Sequence, residues 1–164
     1  MKRLAPLLLT LALCACSPKY DWRDYRSSDA PYAVLFPGKP ASQTRSIKLE
    51  QLEVSMTMSA ANVDGVVFAV GSAQLADAAQ APAAVDAMQT AMLNNISATV
   101  TSSNQLANGA REVDASGTEK GQAMRLIGRF VAKDNRIYQA VVIGPAAKIE
   151  AEPVETFLTS FKLN

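Results

Sequence analysis

Residues 52–60 (LEVSMTMSA) alternate without a break. Leu52, Val54, Met56, Met58 and Ala60 fall on one side of an extended chain, and Glu53, Ser55, Thr57 and Ser59 on the other. Side chains repeat every two residues in a strand and every 3.6 in a helix, so the pattern specifies a strand with one buried and one wet face. Such a strand needs antiparallel neighbours and apolar cover on one side only. The flanking sequence supplies the neighbours. Residues 32–36 (YAVLF) form an apolar run stopped by Pro37-Gly38-Lys39-Pro40, where Pro37 and Gly38 suit positions i+1 and i+2 of a type II turn. Residues 44–49 are a second strand. Asp64-Gly65 then turns the chain into 66–73 (VVFAVGSA), which is apolar on both faces and therefore central.

The cover comes from two amphipathic segments. A helix opened by Pro82, within the Ala-rich stretch 76–96, places Val85, Met88, Met92 and Ile96 on one stripe and Asp86, Gln89 and Asn94 opposite. The second half repeats this logic with strands at 98–103, 110–116 and 122–133. The last of these is joined through Asp134-Asn135 to 136–143, since Asp and Asn tolerate the positive φ of a tight hairpin. Pro153 then opens a helix with Val154, Phe157, Leu158 and Phe161 at i, i+3, i+4 and i+7. The order predicted is four strands, helix, four strands, helix. This is an α+β domain with an antiparallel sheet of about seven or eight strands sandwiched by two helices. Met124, Leu126 and Phe130 face one way while Ile127 and Val131 face the other, so one helix is expected on each side.

The first seventeen residues, MKRLAPLLLTLALCACS, are of another kind. Lys2 and Arg3 precede an apolar run at 4–13 that is too short to span a membrane. Leu13-Cys14-Ala15-Cys16 resembles the lipobox of bacterial lipoprotein signal peptides. The small residue Ala15 precedes Cys16, whereas Cys14 follows Leu13, so Cys16 is the expected lipidation site. The resulting organisation is a signal peptide at 1–15, a lipidated N-terminus and flexible tether at 16–31, and a single domain at 32–164. Asp immediately after the lipidated residue resembles an inner-membrane retention tag in enterobacterial lipoproteins. Ser17 stands there instead, so the expected location is the periplasmic side of the outer membrane, held by the lipid.

Composition narrows the chemistry. The chain has no histidine, which removes Ser-His-Asp and Cys-His arrangements and the commonest zinc ligand. With Cys14 leaving in the signal and Cys16 acylated, the domain has no thiol for a disulfide, a metal or a nucleophile. No catalytic residue, metal or cofactor is therefore expected. Loss of Lys2 and Arg3 from the 16 basic residues leaves one fewer basic than the 15 acidic ones, with no footprint for nucleic acid.

Carboxylates and guanidiniums remain. Glu112 and Asp114, two apart on a strand, face the same way and form either a glycosidase-like pair or a solvated strand face. Arg125 and Arg129 share a face with Ile127 and Val131. They either clamp an anion in a partly apolar groove or rim the sheet and pair with Glu150, Glu152 or Glu155. In the polar stretch 17–31, Tyr20, Trp22 and Tyr25 interleave with charges. They are either an interaction patch for a partner or the headgroup layer, or rings folded back onto the domain.

The element order, the run FPGKP at 36–40, the segment NRIY at 135–138 leading to VIGP at 142–145, and the closing FLTSF at 157–161 together resemble uncharacterised bacterial secreted domains of the Mog1/PsbP-like α/β/α sandwich class. The resemblance covers roughly 31–164. It implies an adaptor-type module, similar to a photosystem extrinsic subunit or a transport GTPase-binding protein, with protein contact and no catalysis. The expected function is thus a non-enzymatic lipoprotein that docks a protein or another envelope component. A small-ligand or lipid-binding module is the alternative, followed by a carboxylate-dependent hydrolase.

Overall fold

Strands β1 (Arg23–Arg26) and β2 (Tyr32–Phe36) form an antiparallel hairpin, with Tyr25 opposite Val34. The computed structural model describes residues 18–164, so the export signal and the lipidation expected at Cys16 lie outside the described residues. β2 buries alternate residues, Tyr32, Val34 and Phe36.

After β2 the chain lays down β3 (Ala41–Leu49), β4 (Leu52–Val63) and β5 (Val66–Gln74), then α1 (Ala81–Asn94). Next come β6 (Thr99–Gln105), β7 (Arg111–Glu119), β8 (Gln122–Lys133), β9 (Arg136–Pro145), α2 (Ala151–Ser160) and a short β10 (Lys162–Leu163). The main sheet has seven antiparallel strands in the order β3-β4-β5-β9-β8-β7-β6, and β1-β2-β10 form a separate three-stranded sheet. The doubly apolar β5 lies inside the main sheet between β4 and β9, as its sequence requires.

Two-residue turns fix the register of the main sheet. Glu50, Asp64, Lys120 and Asp134 open these turns at φ values of 54°, 53°, 48° and 56°. That left-handed start matches the twist of the flanking strands. Glycine follows at Gly65 and Gly121, where φ is also positive.

The helices cover opposite faces. Ala84, Val85 and Met88 of α1 pack over Phe130, Ile137 and Val141, whereas Val154, Phe157 and Leu158 of α2 pack over Phe68, Tyr138, Ala140 and Val142. The small sheet shares the α2 side, because Tyr32, Val34 and Phe36 join that second core.

Four expectations are corrected. Five strands, not four, precede the first helix. Residues 32–36 were expected in the main sheet but lie above it: their inward face packs on the α2 side, and their two edges bind β1 and β10. Residues 16–31 were expected as a flexible tether, yet their described part contains β1, held by the ladder to β2 and by the inward ring of Tyr25. Ser59 likewise leaves the wet face expected for residues 52–60 and is fully buried beneath the small sheet.

Candidate functional site

The N-terminal segment is clasped to the body. The Tyr25 ring meets Phe36 edge-on, with centroids 5.4 Å apart, and lies 6.1 Å from Tyr32. Its hydroxyl is 3.1 Å from Ser42 Oγ and 3.0 Å from Ser59 Oγ, and those two oxygens are 2.7 Å apart. This hydroxyl cluster ties β1 to the edge pair β3 and β4. Tyr20 and Trp22 stack at 6.0 Å with planes inclined by 24°, and both pack against the α2-side core.

Glu150, at the start of α2, receives two further contacts. The Lys19 ammonium forms an ion pair with it, and Tyr20 donates its hydroxyl to Glu150 Oε1 at 3.0 Å. The Lys19 hydrogen bond holds the Glu150 carboxyl below its ordinary value, while burial pushes the Tyr20 phenol up. The Asp21 amide donates to Pro37 O at 3.1 Å. All three aromatics therefore take the folded-back alternative.

The acidic pair and the arginines meet each other. Arg129 lies opposite Glu112 in the ladder of β7 and β8, and donates from Nε to Oε2 at 2.7 Å. Its Nη1 also donates to Leu158 O at 2.6 Å, placing a cation on the carbonyl end of α2, where the helix dipole favours one. Arg125 grips both oxygens of Asp114, with Nε to Oδ1 at 3.0 Å and Nη2 to Oδ2 at 2.6 Å. That hydrogen bonding raises the guanidinium's pKa. Neither sequence alternative for the arginines describes this. Their carboxylate partners come from the adjacent strand rather than from Glu150, Glu152 or Glu155, and both guanidiniums are already occupied. Of the acidic pair, Asp114 has both oxygens held by Arg125 and Glu112 has Oε2 held by Arg129.

Concave surface lies at the end of the sandwich remote from Lys19. Between β8 and β10, Ala110, Val131, Phe161 and Leu163 line a groove of about 540 Å³ with Arg129 and Lys133 among its cations. Lys133 Nζ donates to Asn164 O at 2.9 Å. On the other face, a recess of about 240 Å³ separates the start of α1 from β8, beside an ion pair from Arg111 to Asp86 at 2.8 Å. Among the described residues, no group of three His, Cys, Asp or Glu side chains is placed to hold a metal ion, and no helix is long and apolar enough to cross a membrane.

Two buried polar residues are not evident from the sequence pattern: Ser59 falls on the polar side of the 52–60 alternation, and Gln139 sits inside the apolar run 136–143. Gln139 is buried, with Nε2 3.5 Å from Met58 Sδ and Oε1 lacking a partner. A lone glutamine in such a run was the available signal for the second.

No protein-family model matches the chain, and no curated protein does. A crystal structure of a Bacteroides thetaiotaomicron VPI-5482 protein is similar at 12% identity and a TM-score of 0.46, over 86% of this chain. The chain spans about half, 48%, of that protein's length.

Proposed function

We propose that this chain is a lipoprotein anchored through Cys16 on the periplasmic side of the outer membrane. Its sandwich, of the Mog1/PsbP-like class, serves as a non-enzymatic module that binds a protein or another envelope component. One observation carries the non-enzymatic part: the acids and arginines that sequence offers for chemistry are spent on one another across β7 and β8. The lipobox-like LCAC at 13–16 supports the anchor. The apolar groove beside Lys133 and the exposed Lys162 is the binding surface this reading uses, and it suits an acidic or amphiphilic partner.

Two measurements test the reading. Metabolic labelling with an alkyne fatty acid should mark the wild-type chain and the Cys14→Ser variant but not Cys16→Ser; label lost only with Cys14 would move the anchor. A photo-crosslinking residue at Lys162 should trap a discrete adduct in intact cells that the same residue at Thr90, on the exposed side of α1, does not. Identical patterns at the two positions would refute the groove as the binding surface. The groove's volume also falls in the range of small-molecule sites. A bound amphiphile would appear as added mass in native mass spectrometry of gently extracted protein.

A further inference from the structure

We infer that the domain stands upright on the bilayer with a fixed end toward the lipid: the end bearing Lys19, Pro37, Glu150 and the Asp64-Gly65 turn. This rests on the lipid-anchor reading above and adds an orientation to it. The argument is one of reach. From Cys16 to Lys19 the chain advances three residues, which span at most about 11 Å when fully extended. From Lys19 onward the chain is clasped to the body by the ion pair to Glu150, the Tyr20 hydroxyl on the same carboxylate, the Asp21 amide on Pro37 and the stacked Tyr20 and Trp22. With no free tether beyond Lys19, an acyl group on Cys16 holds this end within roughly the depth of a headgroup layer or two, since bilayer headgroups add only about 5–8 Å on each side.

Further contacts define that end. Lys148, two residues before Glu150, donates to Asp64 O at 3.0 Å, so the clasp and the Asp64-Gly65 turn share it. β4 runs from that turn through twelve residues to the Glu50-Gln51 turn. At about 3.3 Å per residue it carries Gln51 roughly 40 Å away. Arg136, which opens β9, pairs with Gln74 at the end of β5, so the Asp134-Asn135 turn and the groove beside Lys133 lie at that far end as well. The partner is thus a lipid surface meeting one end of the sandwich, with the groove facing away from it.

Energy transfer measures the stance on the full acylated chain. Trp22 is the sole tryptophan, so it serves as donor to dansyl-phosphatidylethanolamine in phosphatidylethanolamine–phosphatidylglycerol vesicles. A Trp22→Phe, Gln51→Trp chain moves the donor to the exposed far turn. The expected result is transfer several-fold stronger from Trp22 than from position 51. Ten Gly and Ser residues inserted between Ser17 and Pro18 would lengthen the leash by about 18 Å and should bring the two donors much closer to parity. Intact mass reports acylation separately. Equal transfer from both donors in the acylated, unspaced chain would overturn the orientation while leaving the anchor standing. An unacylated wild-type chain would overturn both.

Discussion

Truncating Phe157 tests whether α2 welds the two sheets together. Its ring is fully buried, lying 5.6 Å from Phe36 of the small sheet and 5.5 Å, edge-on, from Phe68 of the main sheet. Phe157→Ala therefore removes a side chain shared by three elements and leaves a cavity that none of them can close alone. Phenylalanine truncations of this kind cost about 3–5 kcal/mol. Two aromatic pairs, each worth about 0.5–1.5 kcal/mol beyond the area they bury, place this one toward the upper end. Against a typical total of about 5–15 kcal/mol the loss is severe. At about 2–4 °C per kcal/mol for a domain of this size, Tm should fall by roughly 8–20 °C. Urea titration followed by Trp22 emission is the second readout: the midpoint should drop while the slope stays constant. Phe157→Leu, which retains more of the volume, should recover much of the loss. A cost below about 1 kcal/mol at unchanged slope would refute the claim that α2 is a structural weld.

Other perturbations address the remaining contacts. Arg129→Ala strips Glu112 and Leu158 O of their donor and should cost about 1.5–3 kcal/mol by chemical denaturation; adding Glu112→Gln should cost less than the sum of the separate losses, and strict additivity would mean that the pair is not coupled. Gly117→Ala drives a Cβ into the Ile96 carbonyl, with Ala98 Cα 2.9 Å away, so it should destabilise by about 1–3 kcal/mol or more because both neighbours are backbone. The Lys19 hydrogen bond depresses the Glu150 pKa, so the clasp's contribution is complete above the ordinary glutamate range and is lost as pH falls through the lowered value. An NMR titration should show the Trp22 indole resonance moving only below the ordinary glutamate range, and Glu150→Gln should abolish that movement.

Both helices were legible from sequence because their apolar stripes are long enough to average over local exceptions: Val85 and Met88 in one and Val154, Phe157 and Leu158 in the other are buried as spaced, although Met92 is only half-buried and Ile96 and Phe161, the last of each predicted stripe, lie just past the helix ends. Asp64-Gly65 and Asp134-Asn135 announced their turns, whereas Glu50-Gln51 adopts the same left-handed start with neither glycine nor asparagine to signal it, and Lys120-Gly121 signals only through its second residue. β1 was hidden by its length. It has four residues, and Tyr25 is the one among them whose burial pattern points inward, so it shows no period to detect. YAVLF read correctly as a strand but carries nothing that assigns it to one sheet rather than the other. The arginine partners were invisible for a related reason. Pairing Arg129 with Glu112 depends on the register of β7 on β8, which the Lys120-Gly121 turn sets, and a one-residue slip would have turned these charges onto the α1 side.

That register decides more than stability. In the observed one, the guanidiniums of Arg125 and Arg129 lie on the α2 face, where Arg129 also closes the carbonyl end of that helix. Its Nε and Nη1 are thereby fixed at the back of the far-end groove, while Lys162 on β10 is exposed at the rim. A ligand arriving there meets an exposed surface cation in front of a committed one. Lys162→Glu should therefore weaken the proposed capture of an acidic partner, measured by loss of the position-specific adduct with the crosslinking residue moved to neighbouring Asn108, and leave Tm nearly unchanged. Arg129→Ala should lower Tm as well. Equal effects of the two variants on Tm would mean that the rim lysine is structural, and the groove would lose its claim to be a recognition surface.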